Sequence, residues 1–380
     1  MRRIREIEGL RAFLALWVLI SHVLGAAGYT SEIVEGLPQL LILGNYAVDI
    51  FIIISGFVIF LLIDQVRGNY STYITQRFFR LYPLLFVLFL VAVILAPLEM
   101  ENISQSGAYL IEQNIEKLTY KLDIRNDWLG FNILTHLTML HGMVPEKWVP
   151  FVPGAFLGPA WSISLEWQFY LVAPLLFSLA ATRGRFARLG VIVACLATYI
   201  IARKLLPRVE YGAFLPFHIE FFFFGACSYF IYRHLHNSVI KPDFLFPTAM
   251  ATVVMIYFTS GHDFRLFPIA VWLVFFALML EPKESLSHRI IAPIFLNRIS
   301  LWLGKVSYSI YLLHTLVITL ISSVLLSYFD LARGDYFLLL FVSTLIMTMI
   351  FSWLTYRYIE KPGIILGKKL SSRFNTEHSK

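Results

Sequence analysis

The chain has 380 residues, of which 58% are hydrophobic, 16% aromatic and only 14% charged, and its mean hydropathy is +0.71. Because soluble domains carry about 25% charged residues, this composition excludes a soluble globular protein and indicates a membrane protein. The net charge of +7 is explained by basic residues in the loops between spans, so it does not point to a nucleic-acid partner.

Apolar stretches of roughly 18 residues or more recur along the chain, and each is long enough to cross a ~30 Å hydrocarbon core. They predict an all-α integral membrane protein, a bundle of about ten transmembrane helices. The predicted spans are residues 8–28, 40–63, 79–98, 160–181, 188–206, 212–232, 243–260, 265–280, 301–326 and 336–356. With the N-terminus inside, the inside loops are richer in Lys and Arg, which predicts that both termini are cytoplasmic.

The first span carries two costly polar groups, Arg11 and His22, with ten residues between them. At ~100° and ~1.5 Å per residue, eleven helical steps bring the two side chains onto one face, about 16 Å apart. A charge near the entrance and a titratable group deeper in the membrane predict one wall of a buried site. A histidine also suits proton transfer near neutral pH.

Later spans carry further polar residues, each of which has a structural alternative to a functional role. Asp49 begins the apolar part of the second span, and Glu166 lies near the start of the fourth. Either carboxylate could simply pair with an arginine to hold neighbouring helices together. Arg77 and Arg80 stand at the cytoplasmic mouth of the third span, where arginines commonly anchor a helix at anionic headgroups. His314, in the ninth predicted span, could make a packed hydrogen bond between helices.

The chain is predicted to be one transmembrane domain, residues 1–380, with its core at about 7–362. Residues 99–160 form a long extracytoplasmic loop, of a length more typical of a lid or binding element than of a connector. Leu129, Ile133, Leu137 and Leu140 stand at helical spacing, so part of this loop is expected along the membrane surface. Residues 363–380 form a basic cytoplasmic tail. No metal site is predicted, because the two cysteines, at 195 and 227, both fall within apolar spans.

Six segments, in order, resemble those of the acyltransferase-3 family, the bacterial multi-pass enzymes that O-acylate cell-surface and exported sugars. They extend from residue 7 to about 362. The segments are I-E-G-L-R-A-F-L-A-L-W-V-L-I-S-H (7–22), A-V-D-I-F-I-I-I-S-G-F-V-I (47–59), R-F-F-R-L-Y-P (77–83), W-S-I-S-L-E-W-Q-F-Y-L-V-A-P (161–174), L-G-K-V-S-Y-S-I-Y-L-L-H (303–314) and Y-R-Y-I-E-K-P (356–362).

The resemblance implies that Arg11 and His22 are essential, that Arg77 and Arg80 match the family's arginine pair, and that Glu166 matches its acidic residue. Many relatives carry a second glutamate where this chain has Trp167, so a carboxylate pair is not expected here. The resemblance also implies cytoplasmic acyl-CoA, most often acetyl-CoA, as the donor substrate, with no bound cofactor.

The expected reaction is O-acylation of a cell-surface or exported carbohydrate, or of a small glycoside, at the bacterial inner membrane. Arg11, Arg77 and Arg80, or a subset, would hold the CoA phosphates, because arginine forks suit phosphate. His22 would act as general base, with Asp49 or Glu166 orienting it. The main alternative is a transporter or flippase whose buried charges line a substrate path. The acceptor and the oligomeric state are left open by the sequence.

Overall fold

The computed structural model describes residues 4–30, 33–34, 38–65, 69–106, 109–110, 112–182, 212–236 and 266–377, together with 190, 193, 197–198 and 200–201. Regular structure in these residues is helical. The helices with defined bounds are α1 (Arg5–Ala26), α2 (Gln39–Ile42), α3 (Gly44–Gln65), α4 (Tyr70–Gln105), α5 (Glu112–Asp127), α6 (Leu129–Leu137), α7 (Trp161–Thr182), α8 (Ile219–His236), α9 (Phe267–Leu280), α10 (Leu286–Leu296), α11 (Arg298–Tyr328), α12 (Arg333–Thr355) and α13 (Lys361–Glu377), with a π-helical turn at Tyr356–Glu360 between the last two.

Six helical segments within the described residues are long and apolar enough to cross a membrane: Arg5–Ala26, Gly44–Gln65, Tyr70–Gln105, Gly158–Ala180, Arg298–Tyr328 and Arg333–Ser372. The all-helical membrane architecture is therefore confirmed. The predicted span 243–260, and most of 188–206, lie outside the described residues. Two further predicted spans correspond to the shorter helices α8 and α9.

The helix that contains the third predicted span begins before that span, because hydropathy does not register the polar first turns of α4. Asn69 caps this helix, and its side-chain oxygen accepts a hydrogen bond from the backbone N–H of Thr72 at 2.9 Å. The helix therefore starts at Tyr70, and Arg77 and Arg80 lie two to three turns inside it. This places both arginines against packed neighbours.

The chain divides into two compact units, each described here by itself. The first comprises Met1–Ala15, Asn45–Val66 and Ile219–Ser307. Within it, Gly225 lies directly against the backbone of Ile53, where an added Cβ would collide. Phe57 packs on the rings of Tyr229 and Trp272 nearby. Small residues that let helices approach closely are the usual means of packing in a membrane.

The second unit comprises Leu16–Gly44, Arg67–His218 and Tyr308–Lys380. Here α13 packs along α4, with Gly363 and Gly367 placed against Pro83 and Phe79. The predicted cytoplasmic tail is therefore helical to Glu377 and joined to α4 over its first turns.

The predicted long loop at 99–160 is substantially ordered as helix. It contains the last residues of α4 together with α5 and α6. Compared with a helix of a soluble protein, α6 has its polar and apolar faces exchanged. Asn132, Thr135 and His136 are buried, while Leu129 and Leu134 are exposed. An outward apolar face is what a helix at the membrane surface presents to lipid.

Candidate active site

His22 lies on α1 in contact with a second histidine of the same unit, His314 of α11. The two ring centroids are 4.9 Å apart, and the rings meet edge to face at 64°. His314 is fully buried, whereas His22 is exposed. The pair therefore presents one accessible imidazole supported by one that is enclosed by protein.

The backbone sets the tautomer of both rings. His22 Nδ1 lies 2.9 Å from the carbonyl oxygen of Val18, and His314 Nδ1 lies 3.1 Å from that of Ile310. A carbonyl oxygen only accepts hydrogen bonds, so each Nδ1 carries the proton and each Nε2 keeps a lone pair. His22 consequently offers an accessible nitrogen base.

The guanidinium of Arg80 is held inside the unit by a carboxylate. It forms an ion pair with Glu360, whose other oxygen accepts a hydrogen bond from Ser309 Oγ at 2.8 Å. It also lies 5.1 Å above the ring of Tyr308, whose hydroxyl donates to the carbonyl oxygen of Leu81 at 2.7 Å. Glu360 ends the π-helical turn and is buried. Arg80 is therefore committed to contacts within the protein.

Arg77 has a different environment. Its guanidinium lies 5.9 Å above the ring of Tyr170, and its Nε is buried without a hydrogen-bond partner among the described residues. The hydroxyl of Tyr170 donates to Glu166 Oε1. One turn before Arg77, the buried hydroxyl of Tyr73 likewise has no partner in this part of the chain. These two donors are suitable for a bound anion.

Helix α11 connects the arginines to the histidines. Tyr308 and Ser309 contact the Arg80–Glu360 ion pair, and His314 follows five residues after Ser309. At ~1.5 Å rise per residue this is roughly 8 Å along the helix. Helix α11 thus carries His314 and also contacts the Arg80–Glu360 ion pair beside α4.

The predicted site residues do not all belong to one unit. His22, Arg77, Arg80 and Glu166 lie in the second unit, whereas Arg11 and Asp49 lie in the first, both half-buried. Arg11 and His22 do share the uninterrupted helix α1, as the sequence predicted. In the described residues His22 contacts no carboxylate; its side-chain neighbour is His314.

A second pair of histidines lies between α5 and α7. The rings of His136 and His141 are stacked, with centroids 4.2 Å apart and planes inclined by 7°. Burial lowers the pKa of His141 to about 4 and also holds the pKa of His136 well below its ordinary value. His141 Nε2 donates to the carbonyl oxygen of Ala160, which fixes the start of α7. This pair is a structural element.

The amino-acid sequence matches a family profile described as an acyltransferase domain over residues 4–357. The chain belongs to the acyltransferase-3 family. The segments quoted from its sequence predicted this family.

Two relatives of this protein are named as acyl- or acetyltransferases. It is 28% identical to the acyltransferase MdmB of Streptomyces mycarofaciens over 178 residues, which is 47% of this chain and 40% of that protein. It is 24% identical over 290 residues to an Acidianus two-tailed virus protein, ORF330, named an acetyltransferase, which covers 72% of this chain and 73% of the relative. The chain thus spans less than half of the first relative's length. No solved structure matches it.

The sequence did not predict several residues of this candidate site. Glu360 was only part of a matching segment, because nothing local shows that it meets Arg80 across 280 positions. The bond between Tyr170 and Glu166 could have been predicted, since residues four apart share a helix face. Within the described residues, no group of three His, Cys, Asp or Glu side chains could hold a metal ion.

Proposed function

We propose that the protein moves an acyl group, in the simplest case acetyl, from cytoplasmic acyl-CoA to a hydroxyl of a cell-surface or exported carbohydrate. The observation that carries this proposal is the His22 ring: exposed, and held by Val18 in the tautomer whose Nε2 is a free base. The setting would be the bacterial plasma membrane, with substrates arriving from opposite sides.

In the proposed reaction, the acceptor hydroxyl oxygen attacks the thioester carbonyl carbon while His22 Nε2 takes its proton. The carbon–sulfur bond then breaks, and the same proton passes from His22 to the CoA sulfur. The products are an ester and free CoA, so no proton is gained or lost overall. A positioned base typically contributes 10²–10⁴-fold to such a step.

The donor's phosphates are assigned chiefly to Arg77. Its guanidinium has no ion pair among the described residues, and the unpartnered Tyr73 hydroxyl lies one turn away. Arg80 is neutralised by its ion pair with Glu360, so it supports this subsite by fixing α4 rather than by adding positive charge. Arg11 remains a candidate for the same end of the donor.

Membranes that contain the protein and its natural glycans provide the test of the reaction. Radiolabelled acetyl-CoA should transfer label to an alkali-labile ester in the glycan fraction, and His22→Ala should reduce that transfer at least 100-fold. Thr344→Val, which removes another buried hydroxyl in a membrane-spanning helix, serves as the control and should keep activity. Unreduced transfer by His22→Ala would contradict the assignment of the base. Absence of label with the unmodified protein would instead contradict the proposed donor or acceptor.

The donor subsite has its own test. Arg77→Ala should raise the KM for acetyl-CoA about tenfold or more, because a charge-assisted phosphate contact is lost. It should hardly affect acetyl-pantetheine, which lacks the nucleotide and its phosphates. An equal effect on both donors would show that Arg77 does not bind phosphate.

A further inference from the structure

We propose that His314 binds substrate directly: its Nε2 accepts a hydrogen bond from an N–H or O–H group next to the atoms that react at His22. The proposal rests on the proposed function, because it requires a thioester donor and a hydroxyl acceptor at this pair. His314 is then a second residue in contact with substrate, beside the base His22.

The first step is the state of the His314 ring. Its Nδ1 donates to the carbonyl oxygen of Ile310, which leaves the lone pair on Nε2. The side chain has 0% of its surface exposed, and Nε2 has no hydrogen-bond partner among the described residues. Buried polar atoms in proteins almost always have partners. His136 Nε2 and His141 Nδ1 also lack one, but only the His314 ring lies against an exposed ring, so only here is there a path for a bound donor.

The second step is that the two rings in contact with His314, those of His22 and Tyr311, cannot supply this donor. The N–H of His22 is used by the carbonyl oxygen of Val18. The hydroxyl of Tyr311, whose ring lies 6.3 Å from His314, donates to the carbonyl oxygen of Pro159 at 2.9 Å. Nothing else in ring contact with His314 in the described chain carries an N–H or O–H group. The donor therefore comes from a ligand.

The third step is the position of the pair. Since the rings are in contact, a group bound to His314 Nε2 lies next to whatever reacts at His22 Nε2. Two sources carry a suitable donor there. One is the amide N–H close to the sulfur in the pantetheine arm of the acyl donor. The other is a second hydroxyl adjacent to the acylated hydroxyl of the carbohydrate.

Two substitutions separate these sources from a packing role. His314→Phe keeps an aromatic ring beside His22 but removes the acceptor, whereas His314→Gln keeps an acceptor oxygen. Purified variants are assayed for acyl transfer to water from S-acetyl-N-acetylcysteamine, which has the amide, and from S-ethyl thioacetate, which lacks it. Transfer from acetyl-CoA to the natural glycan is measured in membranes.

If the amide is the ligand, the unmodified protein prefers the amide-bearing thioester about tenfold, His314→Phe loses that preference, and His314→Gln recovers part of it. If the hydroxyl is the ligand, His314→Phe lowers transfer to glycan about tenfold while transfer to water is unchanged, and His314→Gln again recovers part. Thr344→Val is the control, because it also removes a fully buried polar atom that has no partner among the described residues. This variant should behave as the unmodified protein in both assays.

The proposal is overturned if His314→Phe and His314→Gln both keep the donor preference and the glycan transfer of the unmodified protein. It is also overturned if both variants lose activity equally in every assay, which a packing defect would produce. A protein without acetyl-CoA-dependent labelling would contradict the proposed function. In that case the comparison of the two thioesters, with and without the amide, still decides whether His314 binds the amide N–H.

Discussion

Two pairs of histidines in the same unit show how surroundings decide what a residue type does. His22 and His314 meet edge to face, and one ring of the pair is exposed. His136 and His141 are stacked and both buried, with Phe89 parallel to His136 at 5.5 Å. An imidazole that takes up a proton during a reaction needs access to its substrate. The first pair has that access, whereas the second is enclosed by packing and holds backbone carbonyl oxygens.

The comparison is tested most strongly by placing a phenyl ring in each pair. His22→Phe removes the base and should lower transfer at least 100-fold with little change in thermal stability. His136→Phe should keep the rate constant within a few-fold, because its neighbours already form an aromatic stack. Initial rates and melting temperatures in detergent measure both. Similar losses of rate in the two variants would remove the distinction.

A smaller effect is expected from truncating the stacked pair. His141→Ala deletes the hydrogen bond to Ala160 and leaves a cavity against the ring of His136, so it should destabilise the folded protein by about 2 kcal/mol or more. The rate of acyl transfer per folded molecule should remain unchanged. The free energy of unfolding and the active-site titre, measured on one preparation, separate the two quantities.

Acid should destabilise the stacked pair. Its pKa values are lowered by burial, with His141 at about 4, so the folded state binds fewer protons than the unfolded state, where histidine titrates near 6.5. The contribution of this pair to stability is complete above pH 6.5 and is lost as the pH falls towards 4. Protection factors for hydrogen exchange in residues 112–160, which are corrected for the slower intrinsic exchange in acid, should therefore be lower at pH 5 than at pH 7. In His136→Phe the decrease should be smaller.

The smallest effect is expected at Tyr311, which lies between the two pairs along the hydrogen-bonded chain. Its hydroxyl contacts Ser162 Oγ at 2.8 Å and the carbonyl oxygen of Pro159, next to the Ala160 that His141 holds. Tyr311→Phe should destabilise by about 1 kcal/mol. A double-mutant cycle with His141→Ala should give a non-zero coupling energy. Strict additivity would mean that the two pairs are mechanically independent.

The sequence predicted the helical membrane fold and the family because apolar length and short ordered segments are local signals. It placed Arg77 and Arg80 in the right helix but treated them as equivalent. Their difference depends on two partners. Tyr170 of α7 lies under Arg77, and Glu360, in the turn before α13, pairs with Arg80. The sequence offered Asp49 and Glu166 as supports for His22, whereas the side chain in contact with it is His314, some 290 positions away. Which buried groups meet is decided by helix packing, and one sequence does not specify that.

The π-helical turn at Tyr356–Glu360 has a consequence for how this chain can vary in length. A π turn holds one residue more than the α-helical ladder around it requires, and it is common at functional sites. Deleting a single residue there would restore the ordinary α-helical ladder and leave the helix that follows in about the same rotational phase, so Gly363 should stay against Pro83. A deletion within the ordinary helix α13 has no such outlet and would rotate the residues after it by about 100°. Within this last part of the chain, the turn is therefore the place where the loss of one residue should be tolerated best.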